Sequence, residues 1–128
     1  MAIKDRIQGI QHLGLPTRDL AATLAFYQEL GFEVEWEDKA DMVAFLRKGS
    51  CEIETFQDRT ANQVWGAWAH VALDVDDVDQ TFEDAKAAGY KIVEGEDGPI
   101  LLHFFENGVK YFTIEGPNKE GIEFNQKL

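Results

Sequence analysis

Gln11-His12-Leu13-Gly14-Leu15, followed by Asp19-Leu20 and then by Gly31-Phe32, has a counterpart further along the chain. The second copy reads Ala69-His70-Val71-Ala72-Leu73, then Asp77-Val78, then Gly89-Tyr90. A shift of 58 residues (70 − 12) puts His12 on His70, Asp19 on Asp77, Leu24 on Phe82, Gly31 on Gly89 and Val34 on Ile92. One such coincidence means little, but a whole ordered series marks an internal repeat, and a repeat fixes the architecture.

Each copy opens with an alternating strand. Leu13 and Leu15 face one way and His12 the other; Val71, Leu73 and Val75 share a face opposite His70. A helix follows, with Asp19 or Asp77 as N-cap and Gly31 or Gly89 just past its end. Its apolar stripe is Leu20, Leu24 and Tyr27 in the first copy and Val78, Phe82 and Ala85 in the second. Short β stretches come next: 32–36, 42–47 and 51–56, then 90–93, 100–105, 111–115 and 122–125. Turn residues at 48–50, 106–108 and 116–118 separate them. The expected fold is α+β, with two β-α-β-β-β modules forming a curved mixed sheet around a metal cavity. Module one covers about 7–57, a polar linker 58–66 and module two about 67–127, all in one domain.

The closing strands repeat the alternation. Ile53 lies opposite Glu54, as Ile122 and Phe124 lie opposite Glu123. With the apolar faces packed on the helices, His12, Glu54, His70 and Glu123 share the other side. Two imidazoles and two carboxylates form a mixed N/O donor set whose two negative charges balance a divalent ion. Glu52 sits on the same strand face as Glu54. Glu54 is the better match, because Ile53-Glu54 mirrors Ile122-Glu123.

Composition narrows the partners. The 128 residues suit one domain, and a 45% hydrophobic share supplies its core. Twelve Lys and Arg against 24 Asp and Glu leave a formal net charge of −12. That balance argues against nucleic acid and anionic membranes, which need cationic side chains. No apolar run approaches the ~20 residues of a membrane span, and the N-terminus lacks a signal-like apolar stretch. The single cysteine, Cys51, is read as a small buried hydrophobe and fits a cytoplasmic chain without disulfides. Trp36, Trp65 and Trp68 are read as core or interface residues, with Trp68 on the His70 face. His103 lacks a repeat partner and is a candidate rim residue. The acids at 74, 76, 77 and 79 lack the glycine and terminal glutamate of a calcium loop.

From Ile7 to Gln126 the chain resembles the vicinal oxygen chelate superfamily of glyoxalases, bleomycin-resistance proteins and extradiol dioxygenases. The resemblance rests on the two His-containing strands, on Phe26-Tyr27 to Leu30-Gly31-Phe32, and on Gly116-Pro117-Asn118 through Gly121-Ile122-Glu123-Phe124. It is nearest to glyoxalase I, lactoylglutathione lyase. It implies a zinc or nickel ion on His12, Glu54, His70 and Glu123, with Glu123 or Glu54 as the catalytic carboxylate. It also implies a small-molecule substrate, a 2-oxoaldehyde–thiol hemithioacetal or a similar vicinal-oxygen compound, and a homodimer. Two departures concern the thiol: Pro16 stands where bacterial glyoxalases carry an arginine that contacts glutathione, and Asp58 where they carry an asparagine. The competing functions are a metal-free drug- or ligand-binding protein, and a metal-dependent antibiotic-inactivating transferase or dioxygenase.

Overall fold

The structure is a computed structural model that describes residues 3–6, 8, 10–61 and 70–128. The chain divides into two compact units, Met1–Asn62 and Gln63–Leu128. The first contains β1 (Leu13–Thr17), α1 (Leu20–Glu29), β2 (Glu33–Asp38), β3 (Val43–Lys48) and β4 (Cys51–Gln57). The second contains β5 (His70–Asp74), α2 (Val78–Ala88), β6 (Ile92–Glu94), β7 (Ile100–Leu102), β8 (Val109–Glu115) and β9 (Gly121–Lys127).

The strands form two mixed sheets, one in each unit. The first has the order β1-β4-β3-β2 and the second β5-β9-β8-β6, with β7 also on β8. In both, the opening strand runs parallel to the last strand of its unit, and the other pairings are antiparallel. β6 and β7 lie in line along β8: Ile92 pairs with Ile114, and Ile100 to Leu102 pair with Tyr111 to Val109. They are one strand interrupted by residues 95–99. The second unit is therefore also β-α-β-β-β, and the repeated α+β architecture stands. The interruption needs Gly95, whose φ is +80°; a Cβ there would meet Gly98 O and Phe112 Cβ at 3.0 Å.

The helices start where sequence placed them. Asp19 Oδ1 accepts from Ala22 N at 3.1 Å, and Asp77 Oδ1 accepts from Gln80 N at 3.0 Å. Each helix has a second cap that sequence reading missed. Gln57 Oε1 accepts from Leu20 N at 3.2 Å, and Gln126 Oε1 from Val78 N at 2.9 Å. Both glutamines lie three residues past the strand glutamate of their unit, so they pin β4 and β9 to the helix starts. Gly89, at φ +81°, closes α2 in the left-handed conformation that glycine adopts without strain.

Each helix covers one face of its sheet. In the second unit Val78, Phe82 and Ala85 are buried, and Phe112 meets Phe82 at 5.3 Å and Phe124 at 5.1 Å between ring centroids. In the first, Leu20 and Tyr27 are buried but Leu24 is only half-buried. Thr23 takes the predicted place of Leu24, because its hydroxyl bonds that of Thr17 at 2.9 Å in the interior.

Other boundaries shift. β1 covers 13–17 rather than 11–15, which brings Pro16 into a strand whose one pairing partner is β4; an edge accepts the missing N–H. β7 stops at Leu102 because Phe105 turns to φ +59°. The expected linker is partly folded: Asp58 Oδ1 accepts from Thr60 N and Thr60 Oγ1 at 2.9 and 2.7 Å, and Ala61 is buried. The rest of it, with Trp65 and Trp68, lies outside the described residues. Among the described residues, no helix is long and apolar enough to cross a membrane.

Candidate functional site

Both sheets bring a histidine and a glutamate together on the face turned away from the helix. In the second unit His70 opens β5, and Ala72, two residues on, pairs with Glu123 of β9. His70 Nε2 lies 3.4 Å from Glu123 Oε1. In the first unit His12 immediately precedes β1, and Gly14, two residues on, pairs with Glu54 of β4. His12 Nε2 lies 3.9 Å from Glu54 Oε1. The His-to-Glu register offset is the same in both. Within either unit, among the described residues, no three His, Cys, Asp or Glu side chains converge; each supplies a pair.

The pairs are held differently. Glu123 has a side-chain exposure of 12% and accepts at Oε2 from Asn125 Nδ2 at 3.0 Å. Asn125 shares the face of Glu123 by strand alternation, a period-two relation already present in the sequence. Glu54 is 31% exposed, and no hydrogen-bond donor among the described residues reaches it. Its cross-strand neighbour is Phe45, whose ring meets His12 edge-on at 5.5 Å and Trp36 at 6.1 Å. Trp36 is 54% exposed, so the core reading for it is corrected: it stands on the sheet's open face.

Glu52 is engaged elsewhere. Arg47 reaches Glu52 Oε2 at 2.8 Å and Glu35 Oε2 at 3.1 Å. The hydrogen bond between the two carboxyls pushes Glu52 up and holds Glu35 below the ordinary carboxylate range. That cluster leaves Glu54 as the carboxylate beside His12.

Beyond Glu123, Thr113 Oγ1 and Tyr111 OH donate to Glu94 at 3.0 and 3.4 Å. Burial, followed by the charges of Glu94 and Glu123, raises the Tyr111 phenol, so it keeps its proton. No sequence pattern announces Glu94, because a register irregularity in β6 aims it. His103 is exposed in the turn after β7. Cys51 is half-buried, and desolvation ahead of the Glu52 charge pushes its thiol up.

The sequence profile of the glyoxalase/bleomycin resistance protein/dioxygenase superfamily matches residues 9–124. YwbC of Bacillus subtilis, a protein described as uncharacterized, is 32% identical over 92% of this chain and 97% of its own. A bleomycin resistance protein of Klebsiella pneumoniae is 31% identical over 70% of this chain and 67% of its own. Among solved structures, virulence protein STM3117 of Salmonella typhimurium superposes with a TM-score of 0.74 at 25% identity, over 95% of this chain and 98% of its own. The bleomycin resistance determinant of transposon Tn5 gives a TM-score of 0.70 at 22% identity, over 94% and 98%. The chain belongs to the glyoxalase/bleomycin resistance protein/dioxygenase superfamily.

Proposed function

We propose that the protein is a metal-dependent lyase or isomerase of the glyoxalase I type. Its substrate is a 2-oxoaldehyde–thiol hemithioacetal or a similar compound with adjacent oxygens, and one zinc or nickel ion is held by His12, Glu54, His70 and Glu123. The observation that carries this reading is the recurrence of one His/Glu pair at one register offset in both units.

The donor chemistry fits. Two ligands each about 2.1 Å from one ion lie roughly 3.0–3.5 Å apart, and the His70–Glu123 separation is 3.4 Å. The 3.9 Å of His12–Glu54 needs only a small rotation of partly exposed side chains. Asn125 supplies the outer support that a ligating carboxylate commonly has.

When bound, the ion would polarise the substrate's adjacent oxygens and acidify the neighbouring C–H. One of the two carboxylates, Glu54 or Glu123, takes that proton and returns it to the next carbon, acting as base and then as acid. The other stays as anchor. Without an arginine at position 16, glutathione is one thiol among several to try.

The test is thioester formation from methylglyoxal and a panel of thiols, glutathione included, by protein loaded with nickel or zinc. Glu54→Gln and Glu123→Gln should each lower turnover, by roughly 10² or more for the proton carrier. No product with any thiol would refute the assignment.

A second reading, capture of a cationic drug without turnover, is favoured by the Klebsiella relative and by the exposed aromatics Trp36, Phe104 and Phe105 on an acidic chain. Bleomycin binding by metal-free protein, unchanged in His70→Ala, would support it.

A further inference from the structure

The second sheet holds a cavity of about 410 Å³ on the same face as Glu123, within the size range of small-molecule pockets. Asp74, Asn125 and Lys127 line it, with Phe104, Phe105 and Val109 as apolar walls. Two features set it apart from an ordinary surface hollow.

The first is charge. Asp74 and Lys127 have opposite signs and line one cavity, yet they form no ion pair with each other. Among the described residues, the Asp74 carboxylate has neither a hydrogen bond nor an ion pair. Lys127 Nζ instead rests 4.1 Å from the centroid of Phe105. Asn125, the strand partner of Asp74, uses its Nδ2 on Glu123 and so retains Oδ1 as a free acceptor. The cavity lining thus offers a carboxylate and an amide oxygen as well as an ammonium. Along β9 the step from Asn125 to Lys127 is two residues, about 6.6–6.8 Å. An ammonium and a carboxylate borne on one carbon match the two signs that this one lining presents.

The second is the wall. Phe104 and Phe105 are 57% and 73% exposed, and Phe105 holds a φ of +59° to stand there. A bulky residue in that region is strained, and such strain gathers where a ligand is clamped. Aromatic faces also attract an ammonium.

We infer that this cavity binds the α-ammonium and α-carboxylate of an amino-acid-type ligand: Asp74 and Asn125 take the ammonium, Lys127 the carboxylate, and Phe104 and Phe105 flank the chain. The inference goes beyond the proposed reaction and needs no bound metal. Three probes of one shape separate the charges: L-leucine, 3-methylbutylamine, which lacks the carboxylate, and 4-methylpentanoate, which lacks the ammonium. Each is titrated into metal-free full-length protein while amide resonances are followed. L-Leucine should perturb residues 72–74 and 125–127 and bind at least about tenfold tighter than either single-charge analogue, the size of one lost charge-assisted contact. Asp74→Asn should weaken leucine and the amine but spare the acid; Lys127→Met should weaken leucine and the acid but spare the amine. His70→Ala should change none of these, which keeps the test separate from the proposed catalysis. Equal binding of all three probes, no saturation below about 10 mM, or equal losses of every probe in both variants would overturn the inference.

Discussion

His70 Nε2 approaches Glu123 Oε1 at 3.4 Å while Asn125 holds the other oxygen of that carboxylate at 3.0 Å. Glu123 is thereby fixed from two sides with one oxygen left toward the histidine. Its counterpart, Glu54, meets His12 at 3.9 Å and has the ring of Phe45 as its cross-strand neighbour. The repeat reproduces the donors but not their support, so the two carboxylates should respond differently to substitution.

The support has a measurable value. Asn125→Ala removes the outer hydrogen bond to Glu123 and should weaken nickel or zinc binding by about 10–100-fold, the usual effect of losing such a partner. His70→Ala removes a proposed ligand and should abolish retention of the roughly one ion per chain expected of tag-free protein. Titration calorimetry and elemental analysis read the two effects. An Asn125→Ala protein that binds as tightly as the parent would detach Asn125 from the site.

Phe112 should carry much of the second unit's stability. It is fully buried and packs on Phe82 of α2 and Phe124 of β9. Phe112→Ala leaves a ring-sized cavity between helix and sheet and should cost about 3–5 kcal/mol, read by denaturant unfolding. A loss below about 1 kcal/mol would mean that the interface repacks.

How far the sequence reaches can be judged residue by residue. The repeat, the caps Asp19 and Asp77, and the alternation around Glu54 and Glu123 were legible because they rest on local periodicity and short-range hydrogen bonds. Thr23 was not, since its burial depends on a hydroxyl partner, Thr17, that a hydrophobic stripe does not register. Gln57 and Gln126 follow their glutamates at one spacing, yet nothing local says that a strand amide will cap a helix start. The repeat favours Glu54 over Glu52, but what occupies Glu52 is not legible locally, because a hairpin pairing brings Arg47 beside it.

Asp58 bears on pH. Hydrogen bonds from the Thr60 hydroxyl and then its backbone N–H hold this carboxyl below its ordinary value of 3.8. A carboxyl whose folded pKa is depressed stabilises the fold above its unfolded pKa and loses that contribution as pH falls through the folded one. Asp58→Asn should therefore lower the melting temperature at pH 7, and the gap should close as the pH falls below about 3.8. A gap that does not narrow at all as the pH falls below about 3.8 would show that the turn depends on shape rather than charge.

The last prediction concerns assembly. A divalent zinc-type ion takes three or four protein donors, and each unit supplies a pair. The proposed four-donor site takes one pair from each of two units, and we expect those units to come from two chains of a homodimer. Sedimentation equilibrium should then give about twice the 14.5 kDa chain mass at micromolar concentration. Mixing variants decides which units meet. If unit one of one chain faces unit two of the other, a heterodimer of His12→Ala and His70→Ala chains has one site with both histidines and one with neither. Random exchange then restores about a quarter of the parent's metal capacity, because half the dimers are mixed and half their sites are intact. Sites completed within one chain would give no restoration, and a 14.5 kDa particle throughout the micromolar range would exclude the dimer.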